Sequence, residues 1–174
     1  MEPSEAIAML RHPALTNGAP GTWADLGSGQ GVFTQALASL LPAGSQIMAI
    51  DTDASALLKI PQSNSIPIST LVADFTRSLS LPQLKGILMA NSFHYVQDQE
   101  GFLHGVKQYL QPGGWLLMVE YDMIRGNPWV PYPVSFSALQ ELFSKAGFSV
   151  PEKIGERRSI YNRSIMYSCI AQLG

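Results

Sequence analysis

Apolar and polar positions along the chain fall into alternating short runs. Thr22-Trp23-Ala24-Asp25-Leu26 is a brief, β-prone run closed by glycines. From Gly31 onward, Val32, Phe33, Ala36, Leu37, Leu40 and Leu41 recur at helical spacing, until Pro42-Ala43-Gly44 stops the helix. Residues 46–51 read as a second strand, 54–60 as a short helix and 68–74 as a third strand. Residues 86–91 predict strand four. Asp98 is placed to cap a helix reaching about residue 110, with Phe102, Leu103, Val106, Tyr109 and Leu110 on one face. Pro112-Gly113-Gly114 turns the chain into strand five, 115–121, and a proline-rich, aromatic loop follows over 122–134. Ser137-Ala138-Leu139-Gln140 has the form of a capping box, opening a helix that ends at Ala146-Gly147. Segments 148–154 and 164–172 predict an antiparallel hairpin, on which Arg157, Arg158 and Arg163 are expected to be solvated.

Strands that alternate with helices predict βαβ units and a mostly parallel sheet covered on both faces. Strands one, two, four and five are apolar runs, as strands buried on both sides should be. The expected fold is α/β and doubly wound, with seven strands and a C-terminal antiparallel hairpin. One domain is expected over residues 1–174, with residues 1–20 as a helical lead.

Composition narrows the function classes. The chain has 174 residues, 46% apolar and only 14% charged, with a formal net charge of −2. An intrinsic nucleic-acid or anionic-membrane binder carries a basic surplus, so neither partner is expected. No run approaches the roughly 18–20 apolar residues of a membrane helix. The acidic start, Met1-Glu2-Pro3-Ser4-Glu5, is unlike a secretory signal. Cys169 is the single cysteine, which excludes an intrachain disulfide and suits a cytoplasmic setting. No His/Cys/acid spacing resembles a metal site.

In an open parallel sheet, ligands bind at the carboxyl ends of the strands where the winding reverses. Strand one ends in Asp25-Leu26-Gly27-Ser28-Gly29-Gln30-Gly31. Its glycines permit a tight turn and close approach of a ligand, and the next helix points its N-terminus there. Strand two ends at Asp51, 20 residues after Gly31, where a carboxylate can accept from both hydroxyls of a ribose. Strand three ends at Asp74, where an acid can receive an adenine amino group. A dinucleotide fingerprint needs its third glycine at position 32, which is Val32. Asp25 is poorly placed for a pyrophosphate and well placed for a cation. The three acids together suit a cationic adenosine compound.

These motifs resemble those of the class I S-adenosylmethionine-dependent methyltransferases, from about Thr22 to the end of the chain. Asp25 to Gly31 is similar to their first motif, Ile50-Asp51-Thr52-Asp53 to their ribose position and Ala73-Asp74-Phe75 to their adenine position. Asn91-Ser92-Phe93-His94-Tyr95-Val96-Gln97-Asp98 is similar to the strand-four end of their small-molecule branch. Leu110-Gln111-Pro112-Gly113-Gly114 resembles the turn before their fifth strand, and Ala146-Gly147-Phe148 the turn into the sixth. The resemblance implies a Rossmann-like methyltransferase fold with S-adenosylmethionine as cofactor. It implies Gly27 and Gly29 bordering the methionine part, Ser28 and Gly31 also binding the cofactor, Asp25 near the ammonium and Asn91 beside the methionine tail. Asp51 and Thr52 would face the ribose and adenine, and Asp74 and Phe75 the adenine edge. Thr52 stands where many members carry a larger apolar residue.

Methyl transfer from a sulfonium requires alignment and exclusion of water rather than a protein nucleophile. His94, following strand four, is the candidate general base, and Tyr95 a candidate for orienting the acceptor. Arg125, Trp129 and Tyr132, after strand five, are candidate substrate walls, favouring a flat or anionic small molecule. The expected reaction is methyl transfer to a small-molecule acceptor, with homodimerisation left open. Methylation of protein or RNA, and a non-catalytic cofactor-binding subunit, are the alternatives.

Overall fold

The computed structural model describes residues 1–63, 65–158 and 164–174. Two short helices come first, α1 (Pro3–Leu10) and α2 (Pro13–Thr16). The alternation then runs β1 (Thr22–Leu26), α3 (Val32–Leu40), β2 (Gln46–Asp51), α4 (Ala54–Leu57), β3 (Ile68–Val72) and β4 (Leu84–Ala90). It continues with a 3-10 turn (Phe93–Tyr95), α5 (Gln99–Val106), β5 (Leu110–Tyr121), α6 (Phe136–Ala146), β6 (Glu152–Arg158) and β7 (Ile165–Gln172).

The strands form one seven-stranded sheet in the order β3-β2-β1-β4-β5-β7-β6. The neighbours from β3 through β5 pair in parallel, and β7 runs antiparallel to both β5 and β6. The expected doubly wound sheet with an antiparallel C-terminal hairpin is therefore what the chain forms. Winding reverses between β1 and β4, and this places a crevice at their carboxyl ends.

Side chains alternate across the sheet, as the pleat requires. Trp23, Leu88, Leu117 and Val119 pack with α1 and α3 on one face. Ala24, Met89, Leu116 and Met118 pack with α5 and α6 on the other. Both faces are covered, which is why the central strands read as continuous apolar runs.

Several local expectations differ from the structure. The cap of α6 is Ser135, whose hydroxyl accepts the Ala138 N–H at 3.3 Å, and not Ser137. Strand β5 begins at Leu110: Leu84 pairs with Leu110 and Gly86 with Trp115, so Pro112-Gly113-Gly114 bulges out of a ladder that continues past it. Strand β6 covers Glu152–Arg158 rather than 148–154, because Phe148 turns inward to pack on Phe143 and Pro151 has no N–H to offer a ladder. Of the arginines expected on a solvated hairpin, Arg157 instead pairs with Glu5 of α1 at 2.8 Å. Arg163 lies outside the described residues.

Candidate active site

The loop after β1 folds over the end of β2. The N–H groups of Gly27 and Ser28 both donate to the Ile50 carbonyl, at 2.8 and 3.1 Å. The Gly29 N–H donates to Asp51 Oδ2 at 2.8 Å, and Asp51 Oδ1 accepts the Asp53 N–H at 2.9 Å. A carboxylate offers about four lone-pair positions, so Asp51 keeps capacity for the hydroxyls of a ribose. Gly29 has a φ of +52° and nothing within 4 Å of where a Cβ would sit, so bare main chain faces open space. Gly27 is needed for a different reason: at φ +78°, its Cβ would stand 2.5 Å from Ser92 Cβ. That close approach lets Ser92 Oγ donate to the Leu26 carbonyl at 2.6 Å, tying together the ends of β1 and β4. Gly31 caps α3, whose N-terminus opens toward this loop.

Three side-chain oxygens around this crevice are buried with no hydrogen-bond partner among the described residues: Asp25 Oδ1, Ser28 Oγ and Asn91 Oδ1. Buried polar atoms are ordinarily satisfied, and all three of these can accept, so together they suit a ligand rich in donors. An ammonium, ribose hydroxyls and an adenine amino group are such donors, and the residues present fit S-adenosylmethionine. Asp25 is 1% exposed, and its Oδ2 takes the Thr34 hydroxyl proton at 2.6 Å. Burial pushes its carboxyl up to about 7, against the lowering hydrogen bond from Thr34 and with a smaller rise from the Asp51 charge. Asn91 holds a φ of +54°, the left-handed region that a non-glycine residue adopts at some cost, and its N–H donates to the Val119 carbonyl.

Asp74 lies just beyond β3, where Thr76 donates to its Oδ1 through both the backbone N–H and the hydroxyl. Those bonds hold its carboxyl below the usual range. Thr52 is exposed beside Asp51. Phe75 packs edge-on against Phe102 and helps line a cavity of about 530 Å³, whose walls also include Leu26, Thr76, Tyr95 and Asp98.

A second cavity, of about 560 Å³, is lined by Asn91, His94, Tyr95, Tyr121, Asn127, Trp129 and Val130. Tyr95 borders both. Four residues expected from the sequence thus meet here: Asn91, His94, Tyr95 and Trp129. Arg125 is exposed and Tyr132 lies outside the lining, so the expected cation is not part of this wall. The loop is instead shaped by Asn127, whose Oδ1 accepts the N–H groups of Trp129 and Val130, both at 2.9 Å. Tyr132 contributes its backbone, donating to the His94 carbonyl at 3.0 Å.

One residue that the sequence reading missed is Glu120, wholly buried at the carboxyl end of β5. Its Oε2 lies 2.7 Å from His94 Nδ1, and its Oε1 accepts the His94 backbone N–H at 3.2 Å. The available signal was an acid ending the apolar run Leu116-Leu117-Met118-Val119 on a central strand.

Comparison with known proteins agrees with this fold. Residues 24–118 match the family described as Methyltransferase domain. No curated protein matches the sequence. A S-adenosylmethionine-dependent methyltransferase from Methanosarcina mazei superposes with a TM-score of 0.68 at 17% identity, covering 93% of this chain and 97% of that one. The 1,6-didemethyltoxoflavin-N1-methyltransferase of Burkholderia thailandensis, solved with 1,6-didemethyltoxoflavin and S-adenosylhomocysteine, gives 0.69 at 15% identity over 97% of this chain and 76% of that one. Human N-acetylserotonin methyltransferase, solved with S-adenosylmethionine, gives 0.67 at 19% identity over 99% of this chain but 51% of its own. Among the described residues, no helix is long and apolar enough to cross a membrane. The chain belongs to the methyltransferase domain family, and its fold is that of the class I S-adenosylmethionine-dependent methyltransferases.

Proposed function

We propose that the protein transfers a methyl group from S-adenosylmethionine to a small-molecule acceptor, with His94 as general base. The observation that carries this reading is the adjacency of two features. Unpartnered oxygens of Asp25, Ser28 and Asn91 crowd the glycine loop, and Asn91 also lines the cavity that holds His94. Asp51 would hold the ribose, Asp74 and Phe75 the adenine edge, and Asp25 the ammonium. The cofactor supplies an electrophilic methyl with a neutral thioether as its leaving group. The protein's part is to align the acceptor, keep water out and accept a proton.

A cavity of about 560 Å³ is the size of a small-molecule site. The net charge of −2 gives no electrostatic reason to expect RNA. The test is incubation with methyl-labelled cofactor and, in separate reactions, pooled phenols, carboxylates, tRNA and protein. Label entering a low-molecular-weight product supports the proposal. Label entering only tRNA or protein contradicts it.

A further inference from the structure

We propose that cofactor binding expels a proton from Asp25, and that Thr34 is the positioning residue that keeps this proton displaceable. The exchange of a proton for a cation deepens the methyl-transfer reading above, on which it rests, since that reading sets the cofactor's ammonium against Asp25. Asp25 sits on β1 between Ala49 of β2 and Leu88 of β4, and it is buried against Thr34 of α3. A buried carboxylate without a cation is costly, so such a group keeps its proton instead. Among the described residues, the elements packed around it supply no cation. Neither α3 nor the loop over 26–31 carries a charged residue. The charge that β2 brings is Asp51, which opposes a second negative charge nearby. Asp53, beyond it, is committed to Ser55 and Ala56. The charged residue of β4, Lys85, lies at the opposite end of the strand, beside Gly21.

The two oxygens of Asp25 are not equivalent. Thr34, wholly buried, donates its hydroxyl proton to Oδ2 at 2.6 Å. The carboxyl proton therefore stays on Oδ1, which has no partner among the described residues. A hydrogen bond donated to a carboxyl group strengthens when that group ionises, so Thr34 works against burial and against the Asp51 charge. Burial alone would hold the proton more tightly; with Thr34 in place the carboxyl titrates at about 7.

An arriving ammonium supplies the missing countercharge. The Oδ1–H bond breaks, its electron pair stays on the carboxylate and the proton leaves to water. An N–H of the ligand then donates to Oδ1 in its place. The bound form is ionised and the free form is protonated below about 7. Binding therefore strengthens as pH rises through that range and levels off above it.

Calorimetry on the whole protein, with S-adenosylhomocysteine at pH 6, 7 and 8 in two buffers of different ionisation enthalpy, counts the protons exchanged. Nearly one should be released at pH 6, about half at pH 7 and almost none at pH 8, while affinity rises roughly tenfold from pH 6 to pH 8. 5′-Methylthioadenosine, which carries no ammonium, should bind with no release. D25N should abolish the release and bind with a flat pH profile. T34V should move the profile to higher pH, and T34S, which keeps the hydroxyl, should leave it in place. No release at pH 6, equal release with 5′-methylthioadenosine, or a folded D25N that still releases would each overturn the proposal. A folded T34V with an unmoved profile would overturn the part given to Thr34, and T34A replaces it should T34V not fold. If D25N does not fold or 5′-methylthioadenosine does not bind, the wild-type counts at the three pH values decide. Failure of S-adenosylhomocysteine to bind at all would instead strike the parent reading.

Discussion

The backbone N–H of Gly29 donates to Asp51 Oδ2 across 2.8 Å, so the end of β2 holds the tip of the loop that follows β1. One carboxylate therefore shapes the glycine loop and, in the proposed reading, would also hold the ribose. Asp51→Ala should remove charge-assisted bonds worth about 1.5–3 kcal/mol to a ligand. S-adenosylhomocysteine affinity should fall roughly 10- to 100-fold, with circular dichroism unchanged. Calorimetric titration of the two proteins reads the difference.

The two glycines of the loop should fail differently. Gly27→Ala forces a Cβ to within 2.5 Å of Ser92 Cβ at positive φ, and unfolding should become easier by roughly 2–5 kcal/mol. Gly29→Ala meets only open space and should cost the fold about 1–2 kcal/mol for its φ. Its larger effect should be on cofactor affinity, because the proposed binding mode lays the nucleoside against this main chain. Urea midpoints combined with ligand titration separate the two effects.

Asp25 predicts a pH signature. Burial raises its folded-state pKa to about 7, above the ordinary carboxylate value of the unfolded chain. The folded state then keeps a proton that the unfolded state has released, so this group's contribution to stability falls as pH rises from about 4 to about 7 and is flat beyond. The slope should approach roughly 1.4 kcal/mol per pH unit relative to Asp25→Asn, which lacks the titrating group. Urea unfolding of both proteins from pH 4 to 8 measures it; parallel curves would contradict the assignment.

Asn91 separates strain from recognition. Its φ of +54° suits glycine better, so Asn91→Gly should be more stable than Asn91→Ala by about 1 kcal/mol. Both lose the unpartnered Oδ1, and both should bind S-adenosylhomocysteine more weakly than the parent by similar factors. Denaturation ranks the pair, and calorimetry tests their equality.

How legible all this is in the sequence depends on where the cause lies. The strands under both helical layers announce themselves because burial on two faces demands unbroken apolar runs, as in Ile47 to Ile50. Asp25 and Asp51 stand out because an acid ending such a run needs a reason. The bounds of strand β6 are not legible because an edge strand can be mostly polar, and Glu152, Lys153, Glu156, Arg157 and Arg158 leave no hydrophobic period to follow. The Glu120–His94 pair is hidden in the sequence because its members lie 26 residues apart and meet only through the pairing of β4 with β5. The loop position of Arg125 suggests a pocket wall, but the turn set by Asn127 brings Trp129 and Val130 to the cavity instead.

The most direct measurement is a crystal structure of the protein with S-adenosylhomocysteine. The account predicts the nucleoside lying against Gly27 to Gly29, its ribose hydroxyls on Asp51, its amino group toward Asp25, and the sulfur opening toward His94. A ligand bound elsewhere, or one bound here with Asp51 turned out to solvent, would contradict it.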